Sequence, residues 1–308
     1  MGNVRITNTP YDDVFRTLLN DCSSLIIPVI NEVFGEQYSG REKIIFSPNE
    51  HFLNQQGGNE EKRITDTSFK IEGKVTKKYH LECQSNIDNS MLVRFFEYDT
   101  QIALDEGMMK GNVLTVTLPH SAVLFLRHHA LTPDTLKIRM VTPGGSVEYD
   151  IQVMKSQQYT LEEIFEKNLL LLLPFYIFSH ETRFEEYEKD KTKLSALQRE
   201  YEQIKNKLEE LLNQGVISEY IRCTIIDMSN KVLEHIAIKY NSVKEGVKAV
   251  MGGKVLEYEA KTIKREGIEE GIRGTVSILK NLGIPTQTIL LKIQEQYNLS
   301  VEESKKYL

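Results

Sequence analysis

The stretch Arg63 to Ser85, RITDTSFKIEGKVTKKYHLECQS, carries the residues whose types and spacing best suit chemistry. Asp66 opens one strand-like run, and Glu82 lies near the end of the next, with a turn at Glu72-Gly73-Lys74 between them. Residues two apart on a strand share a face, so Glu82 and Gln84 point one way and Leu81 and Cys83 the other. Antiparallel pairing across the turn can bring Asp66 beside Glu82. Two carboxylates converging at a sheet edge make a hard-oxygen site suited to Mg²⁺ or Mn²⁺. The backbone carbonyl of Cys83 can supply a third oxygen. Such an ion polarises a phosphodiester and lowers the pKa of a bound water to give the nucleophile. Plainer readings stand beside these. Asp66 can be a turn or cap residue and Gln84 a solvated strand end, whereas a carboxylate inside an apolar strand, as Glu82 is, needs a partner.

Other residues join this set by position. Asp12 falls in the first turn of a helical stretch, where it either supports the site or favours the positive helix end. Arg94 and Tyr98 stand one turn apart on another helix, fit to bind phosphate, unless Arg94 pairs with Glu97 or Asp12. Lys62-Arg63 and Lys77-Lys78 flank the acidic pair and suit phosphate contacts, Lys78 among them; clustered lysines also keep a strand edge soluble. The histidines show no HxH or HExxH spacing, and His128-His129 reads as a structural pair. Gly57-Gly58 and Gly252-Gly253 lack the context of a phosphate loop. Cys22, Cys83 and Cys223 offer neither a disulfide framework nor a thiolate metal site.

The elements that must hold these residues follow from periodicity. Tyr11 to Phe34 is helical, broken around Cys22 to Ser24 and at Pro28, with Thr9 as N-cap and Gly35 as the stop. Strands are expected at 43–46, 64–71 and 79–84, a helix at 91–106, a strand at 122–127, and a hairpin of 136–142 with 147–153 about Pro143-Gly144-Gly145. From about residue 160 the pattern turns helical. Leu194, Leu197, Tyr201, Ile204, Leu208 and Leu211 form an a/d seam, read as one arm of a helical hairpin with 217–238 returning. The repeated Glu-Gly pairs at 266–267 and 270–271 predict a weak or closely packed helix. Two short terminal helices follow Gly283-Ile284-Pro285, with Ser300 and Glu303 as a capping box.

A chain of 308 residues with a net charge of -6 is long enough for a sizeable core but has no global basic field. Any grip on nucleic acid must then come from a local patch. The longest apolar run, Leu169 to Phe178, is interrupted by Pro174 and too short for a bilayer, so a cytoplasmic protein without membrane contact is expected.

Asp, a hairpin, Glu-x-Gln at a strand end and then a helix together resemble the PD-(D/E)XK nuclease superfamily. More narrowly, they resemble its recombination-promoting nuclease and transposase branch, in which Gln replaces the usual Lys. Asp12-Asp13-Val14-Phe15 matches that branch's Asp-x-x-Phe helix start. Arg94-Phe95-Phe96-Glu97-Tyr98 matches its Arg-x-x-x-Tyr, and the Arg-Glu-Gly-Ile-Glu-Glu-Gly run before Gly-Ile-Pro is also similar. The resemblance implies an α/β, restriction-endonuclease-like mixed sheet flanked by helices over residues 1–155, with a helical region over 156–308. It implies hydrolysis of double-stranded DNA with Mg²⁺ or Mn²⁺. Asp66 and Glu82 would hold the ion, Gln84 would orient water, Asp12 would support, and Arg94 and Tyr98 would contact phosphate or brace the site. Gln84 carries no charge and cannot act as a base. Either it suffices, or Lys70, Lys77 or Lys78 substitutes, or the chain is a catalytically inactive, nuclease-like interaction protein or one that binds DNA through its terminal helix pair. The helical region offers a surface for a homodimer.

Overall fold

The computed structural model describes residues 10–46, 50–54, 60–64, 67–86, 90–252, 256–297 and 304–307; for 50–54, 60–64, 67, 256–266 and 295 it describes the backbone alone. Asp66, the Thr9 cap and the Ser300–Glu303 capping box lie outside the described residues or their side chains.

Helix α1 (Pro10–Asp21) runs through a 3₁₀ turn at Ser23–Leu25 into α2 (Ile26–Phe34), the break falling where the helical period fails. Gly35 ends α2 in the left-handed region at φ 66°, a conformation glycine adopts without a Cβ clash. Strands β1 (Lys43–Phe46), β2 (Glu50–Asn54), β3 (Glu60–Ile64), β4 (Thr67–Glu72) and β5 (Lys77–Gln84) follow, then α3 (Met91–Leu104). Next come β6 (Met108–Lys110), β7 (Val113–Thr115), β8 (His120–Phe125), β9 (Thr135–Thr142) and β10 (Gly145–Lys155).

Six of these strands form one mixed sheet in the order β1-β4-β5-β8-β10-β9, with β2–β3 and β6–β7 as separate two-stranded ribbons. β1, β4 and β5 pair antiparallel, β5, β8 and β10 pair parallel, and β9 returns antiparallel on β10. The single expected strand 64–71 is therefore two, β3 ending at Ile64 and β4 starting at Thr67 in a different sheet.

Alternation divides β5 cleanly. Tyr79, Leu81 and Cys83 enter the main core with Val14, Phe15 and Leu18 of α1 and Ile26 and Ile30 of α2. On the other face, Val123, Phe125 and Ile151 pack against Met91 and Phe95 of α3. The sheet is thus covered on both sides, as parallel pairing of β5, β8 and β10 requires.

The rest is helical: α4 (Leu161–Glu166), a 3₁₀ segment Leu170–Arg183, α5 (Phe184–Lys189), α6 (Lys191–Asn213), α7 (Glu219–Ile236), α8 (Asn241–Met251), α9 (Leu256–Asn281) and α10 (Thr286–Tyr297). The apolar run at 169–178 becomes the buried 3₁₀ segment against α7. The α6 seam residues Leu197, Tyr201, Ile204 and Leu208 are buried inside the chain. The seam's main partner is α8 rather than the returning α7. Gln198 donates to the Gly246 carbonyl at 3.0 Å, and a Cβ on Gly246 would stand 3.3 Å from Leu194, so the glycine admits the close approach. One cluster of buried apolar side chains extends from Val14 to Met251, while Ile272 and Val276 of α9 and Ile289 and Ile293 of α10 form a small core apart. Among the described residues, no helix is long and apolar enough to cross a membrane.

Candidate functional site

The site builds from β5. Its even positions, Lys78, His80, Glu82 and Gln84, face α3, and polar residues fill a face that β8 and β10 line largely with apolar ones. Glu82 is buried, and its two oxygens are engaged differently. Oε2 accepts from Gln84 Nε2 at 3.2 Å and lies 3.6 Å from Arg94 Nη2. Oε1 lies 3.8 Å from His80 Nε2. The structure brings Glu82, Gln84 and Arg94 together at the end of β5. Arg94 is 14 % exposed and stands within ion-pair distance of Glu82.

Thr67, the residue after Asp66 in the chain, pairs with Leu81, the residue before Glu82. β4 therefore enters the sheet at the carboxyl end of β5, beside Glu82. Successive carbonyls along a strand point to opposite neighbours. The Gln84 carbonyl accepts from the Leu126 amide, so that of Cys83 is directed to the β4 side, while the Cys83 thiol is buried in the main core. A carboxylate and a strand carbonyl form a donor set that fits a hard divalent cation. Among the described residues, no group of three or more His, Cys, Asp or Glu side chains gathers as a metal cage.

The remaining sequence candidates fall elsewhere. Lys78, with Lys70, is at the far end of the strand pair: Lys78 Nζ is 3.0 Å from Glu106 and donates to the Ile102 carbonyl at 2.9 Å, and Lys70 also pairs with Glu106. Burial pushes the Glu106 carboxyl up, but the two lysines more than offset it and leave it below the usual range. Lys77 points to the opposite face and pairs with Glu36 at 2.6 Å. None of the three lysines considered as substitutes therefore stands beside Gln84. Tyr98 is buried with its ring edge-on to His80, centroids 6.0 Å apart. Asp12 is half-buried in the first turn of α1 on the other side of the sheet. Its neighbour Tyr11 faces Arg127, whose guanidinium reaches the Ser85 carbonyl at 3.3 Å and Glu181 at 2.6 and 2.8 Å. The start of α1 thus arrives at the carboxyl ends of β5 and β8. His128 and His129 shape the turn after β8, the His129 ring accepting from the Leu131 amide at 3.2 Å.

Sequence reasoning missed the buried partners behind Glu82. His80 Nδ1 lies 2.7 Å from Asp99 Oδ1, and Asp99 also accepts from Ser121 Oγ at 2.8 Å and Tyr149 OH at 3.2 Å. His80, Asp99 and Ser121 are buried, and Phe95 lies over the imidazole with centroids 5.0 Å apart. Burial, then Asp99, holds the Tyr149 phenol well above its ordinary value, so it remains a donor. Two signals were present. HLECQ alternates polar and apolar, and Asp99 interrupts the buried stripe of α3 between Phe95 and Ile102. Comparisons with protein-family models, curated proteins and solved structures find no match to this chain.

Proposed function

We propose that this chain is a metal-dependent endonuclease of the PD-(D/E)XK kind that hydrolyses phosphodiester bonds of double-stranded DNA and so promotes recombination. The observation that carries the reading is Glu82. It is a buried carboxylate at the carboxyl end of a central strand, with Gln84 bonded to it and an antiparallel neighbour beginning beside it. Carboxyl ends of parallel strands are where open α/β sheets place ligands. Asp66, Glu82 and the Cys83 carbonyl would hold Mg²⁺ or Mn²⁺. Such an ion supplies Lewis acidity and a water of lowered pKa. Gln84 would orient that water by hydrogen bonding, and Arg94 would brace Glu82 while offering its outer N–H groups to a phosphate. Asp12, from the other side of the sheet, would support the same end.

A second reading takes the chain as a non-catalytic, nuclease-like interaction protein. It is favoured by Arg94, whose guanidinium stands 3.6 Å from Glu82 and offsets its charge without a cation. The α6 seam is buried within the chain, so contact with a second copy would use other surfaces.

The test is plasmid cleavage by the purified protein, titrated with Mg²⁺ and Mn²⁺, alongside Glu82→Ala and Asp66→Ala. Metal-dependent nicking lost in both variants is expected. Cleavage that persists in either, or no cleavage by the native chain with either metal, overturns the nuclease assignment, and the latter result moves the reading to the interaction protein.

A further inference from the structure

The Glu82 carboxylate is not held by its own strand alone. Behind it stands His80, two residues earlier on the same face. The His80 imidazole stands between two buried carboxylates, Nδ1 within hydrogen-bond distance of Asp99 at 2.7 Å and Nε2 facing Glu82 at 3.8 Å, beyond hydrogen-bond length. Asp99 is fixed in turn by hydroxyls from two further strands, Ser121 on β8 and Tyr149 on β10. The chain of contacts therefore runs from the partly exposed Tyr149 through α3 to the back of Glu82. Each link is polar, and Phe95 and Tyr98 wall the imidazole with rings.

A carboxylate on an unbraced side chain has several rotamers, and binding a cation must first select one of them. A carboxylate whose rear oxygen faces an oriented imidazole presents its other oxygen in a fixed direction. Partners one step removed from a metal site set ligand orientation, and their loss typically weakens binding by about 10–100-fold. We propose that His80, oriented by Asp99, is the positioning residue of Glu82 and sets the cation affinity of the site. This inference rests on the reading of Glu82 as a cation ligand.

The experiment is calorimetric titration of Mn²⁺ into the metal-free, full-length chain, comparing the native protein with His80→Ala, His80→Gln and Tyr149→Phe. Urea midpoints of all four are measured without metal. His80→Ala should weaken Mn²⁺ binding by about 10-fold or more, and His80→Gln, which retains a polar end, should recover part of the loss. Tyr149→Phe removes one hydroxyl far along the chain of contacts and should weaken binding by less than His80→Ala does. A merely structural role for the dyad would lower the urea midpoints and leave the affinity of the folded protein unaltered. If His80→Ala does not fold, Tyr149→Phe decides. Native affinity in the folded variants overturns this inference alone. A native chain that binds no Mn²⁺ overturns the reading of Glu82 as a ligand and this inference with it.

Discussion

Replacing Glu82 with alanine tests the electrostatics of the site apart from any chemistry. Arg94 keeps 14 % exposure and sits 3.6 Å from the carboxylate. Coulomb's law at an effective dielectric of about 20 gives roughly 4–5 kcal/mol of attraction at that distance. Desolvation of both groups cancels part of this, and the residual exposure of Arg94 screens it further. Breaking a wholly buried pair costs about 3–5 kcal/mol. Glu82→Ala should then lose about 2–3 kcal/mol of stability, because a mostly buried guanidinium is left without its anion. Arg94→Ala should cost about 1–2 kcal/mol, since Gln84 still donates to Glu82. The double variant should be more stable than the two losses summed by about 1.5–3 kcal/mol. Urea unfolding of the four proteins measures this, with the midpoint and the slope read separately. DNA cleavage, assayed in parallel, should not return in the double variant even as stability does. A coupling energy under about 0.5 kcal/mol would refute the pairing argument.

Phe95→Ala removes a fully buried ring that packs α3 onto the imidazole of His80, and should cost about 3–5 kcal/mol in the same urea assay; a loss below about 1 kcal/mol would mean α3 is held by other contacts. The three cysteines are buried, and burial followed by the Glu219 hydrogen bond pushes the Cys223 thiol up to about 12. Native protein at pH 8 should accordingly leave all three unmodified by a disulfide reagent until denaturant is added, and rapid labelling without it would contradict that burial. The His180 hydrogen bond, then Tyr176, holds the Glu200 carboxyl below its ordinary value. A depressed pKa contributes stability above the unfolded value of about 4.3 that is lost as pH falls through the folded one. Glu200→Gln should therefore flatten the fall in Tm between about pH 5 and pH 3, and an unchanged profile would sink the assignment.

The readable parts of the fold are those with one dominant local signal. β1 and β5 alternate, α1 and α2 keep a helical period up to Gly35, and the Pro143-Gly144 turn joins β9 to β10 with Thr142 opposite Gly145. The ribbons β2–β3 and β6–β7 went unread. In the second, Met108, Met109, Val113 and Leu114 are exposed, so no buried face imposes a pattern. The a/d seam of α6 shows which stripe is buried but not what buries it, and α8 lies too far along the chain for periodicity to name. At the site, Glu82 with Gln84 follows from two-residue alternation. The His80–Asp99 contact joins a strand to a helix and needs the β5–α3 packing first, so it was legible only as two polar residues at positions due to be buried.

That oddity bears on what Glu82 is for. The face of the sheet under α3 carries Val123, Phe125 and Ile151, which bury the helix by apolar contact alone. His80, Glu82, Asp99 and Ser121 occupy the same layer, and each must find a partner because an unpaired buried polar group costs several kcal/mol, on the order of 2–7 for a neutral one. Replacing a buried ion pair with well-packed apolar residues is often neutral or stabilising by about 1–4 kcal/mol. Packing α3 therefore does not require these four residues, and stability does not favour them over valine or leucine. What they achieve, and an apolar set cannot, is a carboxylate of fixed direction at the carboxyl end of β5. Lys70 and Lys78 are engaged with Glu106 at the other end, which leaves the charge of Glu82 to be offset by Arg94. A cation would have to share Glu82 with Arg94, and a buried carboxylate of fixed direction serves that role better than it serves to hold a helix on a sheet.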